Sequence, residues 1–352
     1  MVYTPHIKVK PEKMANAAVQ VLEQQLTLPG IFRREGFEAY KGAKGDVVNM
    51  RVEGVLPFHR YAFRNDRSEP IVTDQYTERT VAVGLVDHFY NATELTDEQK
   101  DFDLLDWGFL LGKQTKAVSR GLQRAAQEVI ESNEYEVVIG GANADLVESI
   151  AEARRVLNRF QVPDGSRWLV VGSDFEMALQ SDERVALAQN SGDQIASDAL
   201  KRAYVGELKG FQVILDNTIE PSSAYAFVDG GYVWAAAAPS VPRSVGYGAT
   251  ASYEGLTMRV MQDYVADYMY DRQIVDIWSG MRSVKDVLVG WEASGDGLGQ
   301  EKVSEKEYFV RGVKITLDGE SKYPETGSEL ATITGVDAAT GFENGARGDV
   351  NA

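Results

Sequence analysis

Three histidines, His6, His59 and His88, are the only imidazoles in the 352-residue chain. They fall in a tail, a loop tip and a strand end, with no metal-ligand spacing, so neither a histidine acid–base pair nor a histidine metal site is expected. The absence of cysteine removes disulfides, thiolate metal sites and a cysteine nucleophile. Carboxylates are plentiful, and Asp101-Phe102-Asp103 with Asp106 could serve as a paired acid/base or two-metal set. They lie where a helix begins, however, and the helix dipole accounts for acidic residues there. Gly295-Asp296-Gly297-Leu298-Gly299 follows no strand–helix unit and lacks the lysine and hydroxyl of a phosphate loop, so it reads as a linker. Ser283-Val284-Lys285 lacks the spacing of a serine–lysine nucleophile. Arg347-Gly348-Asp349 and the sequon Asn91-Ala92-Thr93 are short enough to arise by chance. No catalytic residue, metal ligand or cofactor is expected.

The elements around these residues are more informative. Thr96-Asp97-Glu98-Gln99 is a capping-box pattern. From it Leu104, Gly108, Leu111, Thr115, Val118, Leu122, Ala125 and Val129 recur at steps of four and three, one continuous helical stripe. Lys113, Lys116, Arg120 and Arg124 fall on the opposite face. The spacing predicts a helix of roughly 35 residues, ~50 Å long at the standard rise. Gly108, Gly112 and Gly121 inside it each cost about 1 kcal/mol relative to alanine, so the helix needs packing or a close neighbour. Its basic side is either an ordinary solvated face or a surface turned toward polyanion.

Upstream, a turn cluster at 41–46 precedes Val48, Met50 and Val52, which alternate with polar residues as a half-buried strand does. Val81, Val83 and Leu85 repeat the pattern on the return. Between them a long segment carries Phe58, His59, Arg60, Tyr61, Phe63, Arg64 and Arg67, residue types favoured at protein interfaces. It reads as an intersubunit contact element or, more blandly, as a flexible surface loop.

The net charge of −17 argues against nucleic-acid binding by the whole surface. The charge is uneven: Lys8, Lys10, Lys13, Arg33, Arg34, Lys41 and Lys44 make the N-terminal segment basic. No run approaches the roughly 18 apolar residues of a membrane span, and the opening residues do not resemble a signal peptide. Residues 1–30 read as an arm with a short helix from about Pro11 to Gln25. Residues 144–240 read as a mixed α/β unit. In it Ser173 is expected to cap a helix with Glu176, and 193–203 to be helical. Strands are expected over 250–290, a Gly-rich linker from Trp291 to Lys302, and a small β appendage over 303–340 with Val313 and Ile315.

The order of these elements resembles the major capsid proteins of tailed bacteriophages, the HK97-like fold, and within it the P22 coat-protein-like group. Several segments carry the resemblance. Gly45-Asp46-Val47-Val48 with Met50-Arg51-Val52 is similar to the first strand of the family's extended loop. Asn91-Ala92-Thr93-Glu94-Leu95-Thr96 is similar to the entry to its spine helix. Val162-Pro163 with Arg167-Trp168-Leu169-Val170-Val171 resembles its "P…R…LVV" strand. Gly206-Glu207-Leu208-Lys209-Gly210-Phe211-Gln212-Val213 resembles its G-x-x-x-G-F-x-V element, and Gly255-Leu256-Thr257-Met258-Arg259-Val260 with Asp263-Tyr264 a late P-domain strand. The likeness covers about residues 10–290. Unlike the P22 type, the chain has no inserted domain within 144–240 and carries a tail after Trp291. No processed scaffolding segment is expected at its start.

The resemblance implies an α+β fold with an N-terminal arm (1–40) and an extended hairpin loop, the E-loop (41–95). The spine helix and first part of the P-domain (96–143), the A-domain (144–245) and the second part of the P-domain (246–290) follow. A linker and C-terminal β extension (291–352) end the chain. It implies a non-enzymatic coat protein that assembles in the host cytoplasm, as hexamers and pentamers, into the icosahedral shell of a virion around packaged double-stranded DNA. Phe58, Arg60, Tyr61, Phe63, Arg64 and Arg67 would contact a neighbour. Lys8, Lys10, Lys13, Lys113, Lys116, Arg120 and Arg124 would face inward to DNA. Scaffolding, portal and decoration proteins are implied partners, and no membrane is. The alternatives are an encapsulin-like nanocompartment shell and a carboxylate-based hydrolase whose projecting loop is a lid.

Overall fold

A computed structural model of the chain describes residues 10–35, 47–52, 56–59, 70, 71, 73, 74, 79–96, 99, 107–162, 165–182, 206–253, 255–292, 300–343, 346 and 347. Its strands, in chain order, are β1 (Arg33–Glu35), β2 (Val47–Val52), β3 (Arg79–Gly84), β4 (Asp87–Thr96), β5 (Val138–Ile139), β6 (Arg167–Val171), β7 (Glu207–Leu208), β8 (Phe211–Leu215) and β9 (Ser223–Val228). They continue with β10 (Tyr232–Ala237), β11 (Tyr247–Tyr253), β12 (Leu256–Val265), β13 (Tyr270–Ser283), β14 (Val289–Glu292), β15 (Gln300–Val303), β16 (Gly312–Thr316), β17 (Phe342–Glu343) and β18 (Ala346–Arg347). The helices are α1 (Pro11–Gln25), α2 (Trp107–Glu131), α3 (Leu146–Arg159), α4 (Ser173–Ser181) and α5 (Glu329–Thr334). The chain divides into two units. One comprises Met1–Asn49, Ala82–Val129 and Tyr232–Arg282; the other comprises Met50–Val81, Ile130–Gly231 and Ser283–Ala352. The boundary runs through the paired strands β2 and β3.

The first unit is a sheet in the order β1-β10-β13-β12-β11, with β4 paired along the other side of β13. Helix α1 packs on β11 and β12 through Met14, Ala15, Ala18, Val19 and Leu22. The short helix expected from about Pro11 to Gln25 is present and is docked on the sheet. The chain then returns as β1, parallel to β10, where Phe32 stacks on Tyr232 at 5.1 Å. β10 is buried along its whole length.

Thr96 and Gln99 form the expected capping box: the Thr96 N–H donates to the Gln99 amide oxygen at 3.3 Å, and the Gln99 N–H to the Thr96 hydroxyl at 3.4 Å. Residues 100–106 lie outside the described residues. In α2, Leu111, Thr115, Val118 and Leu122 are buried as the stripe predicts. Beyond them the buried row runs through Ala126 and Ile130, while Ala125 and Val129 are half-buried. An alternating four–three step is a 3.5-residue period, and a straight helix drifts about 20° per heptad away from it. Gln114 and Ser119 widen the buried face, and the Gln114 amide donates to Thr93 on β4 and to the Gln273 carbonyl on β13, both at 3.0 Å.

The second unit holds a six-stranded sheet in the order β5-β16-β9-β6-β8-β7. α3 and α4 bury Ile150, Ala153, Val156, Leu157, Phe175 and Leu179 in its core. The C-terminal segment departs from its expected role as an appendage. β16 lies inside the sheet, parallel to β5 and antiparallel to β9, with Val313 and Ile315 fully buried. Ser173 also departs from expectation. It is the first helical residue rather than the cap, and the Pro221 carbonyl accepts from the N–H groups of Asp174 and Phe175, both at 3.1 Å. Gly172 makes this approach possible, because a Cβ there would stand 2.4 Å from the Glu220 carbonyl oxygen. The helix expected over 193–203 lies outside the described residues.

Candidate functional site

The surfaces singled out from sequence occur as two groups. β2 and β3 pair, and in the segment between them Phe58 is the one contact candidate among the described residues; Arg60, Tyr61, Phe63, Arg64 and Arg67 lie outside them. The Phe58 N–H donates to the Glu301 carboxylate at 3.0 Å, and its ring lies 5.8 Å from that of Trp291. His59 hydrogen-bonds Asp74 at 2.7 Å, tying the two ends of the loop. Leu56, Phe58, Ile71 and Trp291 remain exposed, apolar surface that burial against another protein would remove from water.

The second group is basic. Lys113, Lys116, Arg120 and Arg124 are all exposed on α2, opposite its buried row. The Lys113 ammonium sits 5.2 Å from the Phe109 ring. No carboxylate among the described residues pairs with Lys116, Arg120 or Arg124, so their charge is presented to solvent. Lys10 and Lys13 are exposed at the start of α1, and Lys8 lies outside the described residues.

The structure also brings together residues that sequence reading left apart. Arg259 on β12 faces Asp276 on β13 in register, and His88 on β4 reaches the same carboxylate at 2.9 Å. Strands were expected over 250–290, but the pairing that aligns β12, β13 and β4 is non-local and carries no local signal. A cleft of about 530 Å³ opens in the second unit over Phe160, Val228, Leu288 and Val310. Two of its charges are paired: the Arg311 guanidinium holds Asp286 through two bonds of 2.5 and 2.7 Å. Elsewhere in that unit, burial pushes the Glu136 carboxyl up, against the pull of the Phe309 N–H, Lys285 and Lys322. Burial, with the Glu329 carboxylate on its hydroxyl, pushes Tyr308 up to about 12.

Among the described residues no cluster of three or more His, Asp or Glu could hold a metal ion. No helix is long and apolar enough to cross a membrane. What stands out among the described residues is exposed apolar surface at Leu56, Phe58, Ile71 and Trp291 and a cationic face on α2.

Comparison with known proteins identifies the family and the fold. The sequence matches the model of the phage capsid protein family over residues 81–284, more than half of the chain. No curated protein matches it. The fold is similar to a solved structure from Mycobacterium phage Che8, at 13% identity and a TM-score of 0.57, over 82% of this chain and 90% of that one. It is similar to the capsid structure of cyanophage P-SCSP1u, at 8% identity and a TM-score of 0.52, over 81% and 89%. It also resembles the mature capsid of bacteriophage PhiM1, at 7% identity and a TM-score of 0.51, over 83% and 86%.

Proposed function

The chain belongs to the phage capsid protein family, and from that premise we propose how this HK97-like major capsid protein builds the shell of its virion. It assembles in the host cytoplasm as hexamers and pentamers into an icosahedral shell around packaged double-stranded DNA. It has no catalytic role. The order of motifs in the sequence supports the P22 coat-protein-like group within the fold. Residues 41–95 act as the E-loop, 96–143 as the spine helix with part of the P-domain, 144–245 as the A-domain and 246–290 as the rest of the P-domain. Scaffolding, portal and decoration proteins are further partners.

The observation that carries the reading of surfaces is the exposed row Lys116, Arg120 and Arg124 on α2 of a strongly acidic chain, without a carboxylate partner among the described residues. A polyanion is the natural counterpart of such a row, because each neutralised phosphate releases counterions. The exposed apolar root at Leu56, Phe58 and Ile71 is the matching support for a contact between copies. Many modest contacts added over a closed lattice then give a stable shell. Size-exclusion chromatography and negative-stain microscopy of the purified chain test this. Megadalton shells are expected; a small stable oligomer would sink the proposal.

A further inference from the structure

The cleft in the second unit has one wall made of main chain. β14 runs antiparallel to β15, and the Asp286–Tyr308 bridge extends their pairing. Asp286 and Tyr308 exchange two main-chain hydrogen bonds of 2.9 Å, and the Ser304 N–H donates to the Leu288 carbonyl at 2.8 Å. In an antiparallel ladder the residues between such pairs turn their N–H and C=O groups the other way. Val287 and Val289 hold those positions, and both line the cleft. Among the described residues nothing pairs with that outer edge of β14. Main-chain groups kept from water need partners, so the edge is a place for another chain. Beside it Phe160, Val228, Leu288 and Val310 make an apolar floor. Five charged residues complete the lining. Arg311 and Asp286 hold each other, and the Arg159 guanidinium donates to the Gly335 carbonyl. Asp229 and Glu301 are left, and no cation among the described residues pairs with either; Glu301 accepts only the Phe58 N–H, at 3.0 Å.

We propose that this cleft docks a short extended segment of a different protein, one in which aliphatic and basic residues alternate. Its main chain pairs with Val287–Val289. Successive side chains of an extended segment point to opposite sides, so the aliphatic ones cover the floor while the basic ones reach Asp229 and Glu301. Main-chain pairing supplies affinity, and the floor and the two carboxylates supply selectivity. The dimensions suit a few residues. The cleft holds about 530 Å³, inside the roughly 300–1,000 Å³ of ligand sites, and a three-residue edge is about 10 Å long at the usual strand rise. Charge separates this occupant from a second copy. The chain carries a net −17, so copies repel one another at long range while a basic partner is drawn in. The site goes beyond the shell-building reading and does not depend on it.

Two synthetic peptides, acetyl-Val-Lys-Val-Lys-Val-amide and acetyl-Val-Glu-Val-Glu-Val-amide, test this against the purified full chain at roughly 0.15 M salt, where long-range attraction is screened. The lysine peptide is expected to bind at least about tenfold more tightly than the glutamate one, and to slow amide hydrogen exchange at Val287 and Val289. Asp229→Asn with Glu301→Gln is expected to weaken that binding by about tenfold. Asp87→Asn with Asp267→Asn, which removes two exposed carboxylates of the first unit, is expected to leave it unchanged. Val289→Pro keeps every charge but removes one N–H turned to the cleft, so it should abolish binding with an unchanged urea midpoint. Should that variant unfold, the Asp229 and Glu301 substitutions decide alone. Equal affinity for the two peptides, or an equal loss from both carboxylate pairs, would reduce the effect to the general pull of an acidic surface and overturn the proposal. Slow exchange at Val287 and Val289 in any size fraction of the chain alone would give the edge to a second copy and overturn it as well.

Discussion

The Arg259 guanidinium donates to both oxygens of the Asp276 carboxylate across the β12–β13 register, with Arg259 8% and Asp276 1% exposed. Removing one partner of a buried pair leaves the other charge without its counterion, which typically costs about 3–5 kcal/mol. Arg259→Met is therefore expected to lower the urea midpoint of the unassembled subunit sharply. The double variant Arg259→Met with Asp276→Asn should recover most of the loss, because no bare charge is left. A double variant no more stable than the single would show that shape, not charge, sets the cost.

The place of β16 yields a second prediction. Ile315 is fully buried between β5 and β9. Ile315→Ala is expected to destabilise the subunit by about 2–5 kcal/mol, the usual range for truncating a core isoleucine. Were residues 303–340 a separate appendage, the rest of the chain would unfold at its wild-type midpoint.

These residues also show what was legible in advance. The Thr96–Gln99 box, the upper part of the α2 stripe and the outward basic row follow from spacing within a few residues, and the structure reproduces them. Alternation marked Val313 and Ile315 as strand residues, but their partners are Ile139 on β5 and Ala224 and Ala226 on β9, far upstream in sequence. Nothing local encodes such a pairing. The same holds for the Arg259–Asp276–His88 cluster. Ser173 failed for a different reason: a backbone carbonyl brought in by the 220–221 turn took the role its hydroxyl was expected to play.

Two of the three glycines of α2, Gly112 and Gly121, sit in different surroundings. A Cβ on Gly121 would stand 2.8 Å from the Phe89 ring, whereas one on Gly112 would meet nothing within 4 Å. Gly112→Ala is expected to stabilise the isolated subunit by about 1 kcal/mol through helix propensity. Gly121→Ala is expected to destabilise it, since overpacking of about 1–3 kcal/mol outweighs that gain. Thermal unfolding of the two variants should shift in opposite directions. If Gly112→Ala stabilises the subunit yet blocks shell formation, a neighbouring copy approaches the helix there.

Glu136 makes stability depend on pH in an unusual direction. Burial raises its folded-state value, so the folded chain binds the proton more tightly than the unfolded one. Its contribution is present below the unfolded carboxylate value and is lost as pH rises through the raised folded value. Glu220, Glu329 and Asp337 act the other way. Hydrogen bonds from Ser223 to Glu220, from the Glu305 N–H to Glu329 and from Thr340 to Asp337 lower them, so their contributions disappear as pH falls. Glu136→Gln isolates the first effect, because the other three are shared with wild type. The variant should match wild type in acid and exceed it at neutral pH, measured by urea midpoints at both. An equal gap at the two pH values would contradict the assignment.

The basic row of α2 gives the most direct test of an inward, DNA-facing helix. Lys116, Arg120 and Arg124 are exposed, so replacing all three with glutamine removes charge without disturbing the buried row. The subunit should fold with an unchanged midpoint. If each residue neutralises one phosphate, the slope of log K against log salt for duplex DNA should shrink by about 2–3, at roughly 0.9 per lost contact. A sequence-independent loss is expected, since a helix face that meets only phosphates reads no bases. An unchanged salt slope would assign the row to a solvated surface. The remaining basic candidates, Lys10 and Lys13 at the start of α1 among them, would then be put to the same substitution and the same slope.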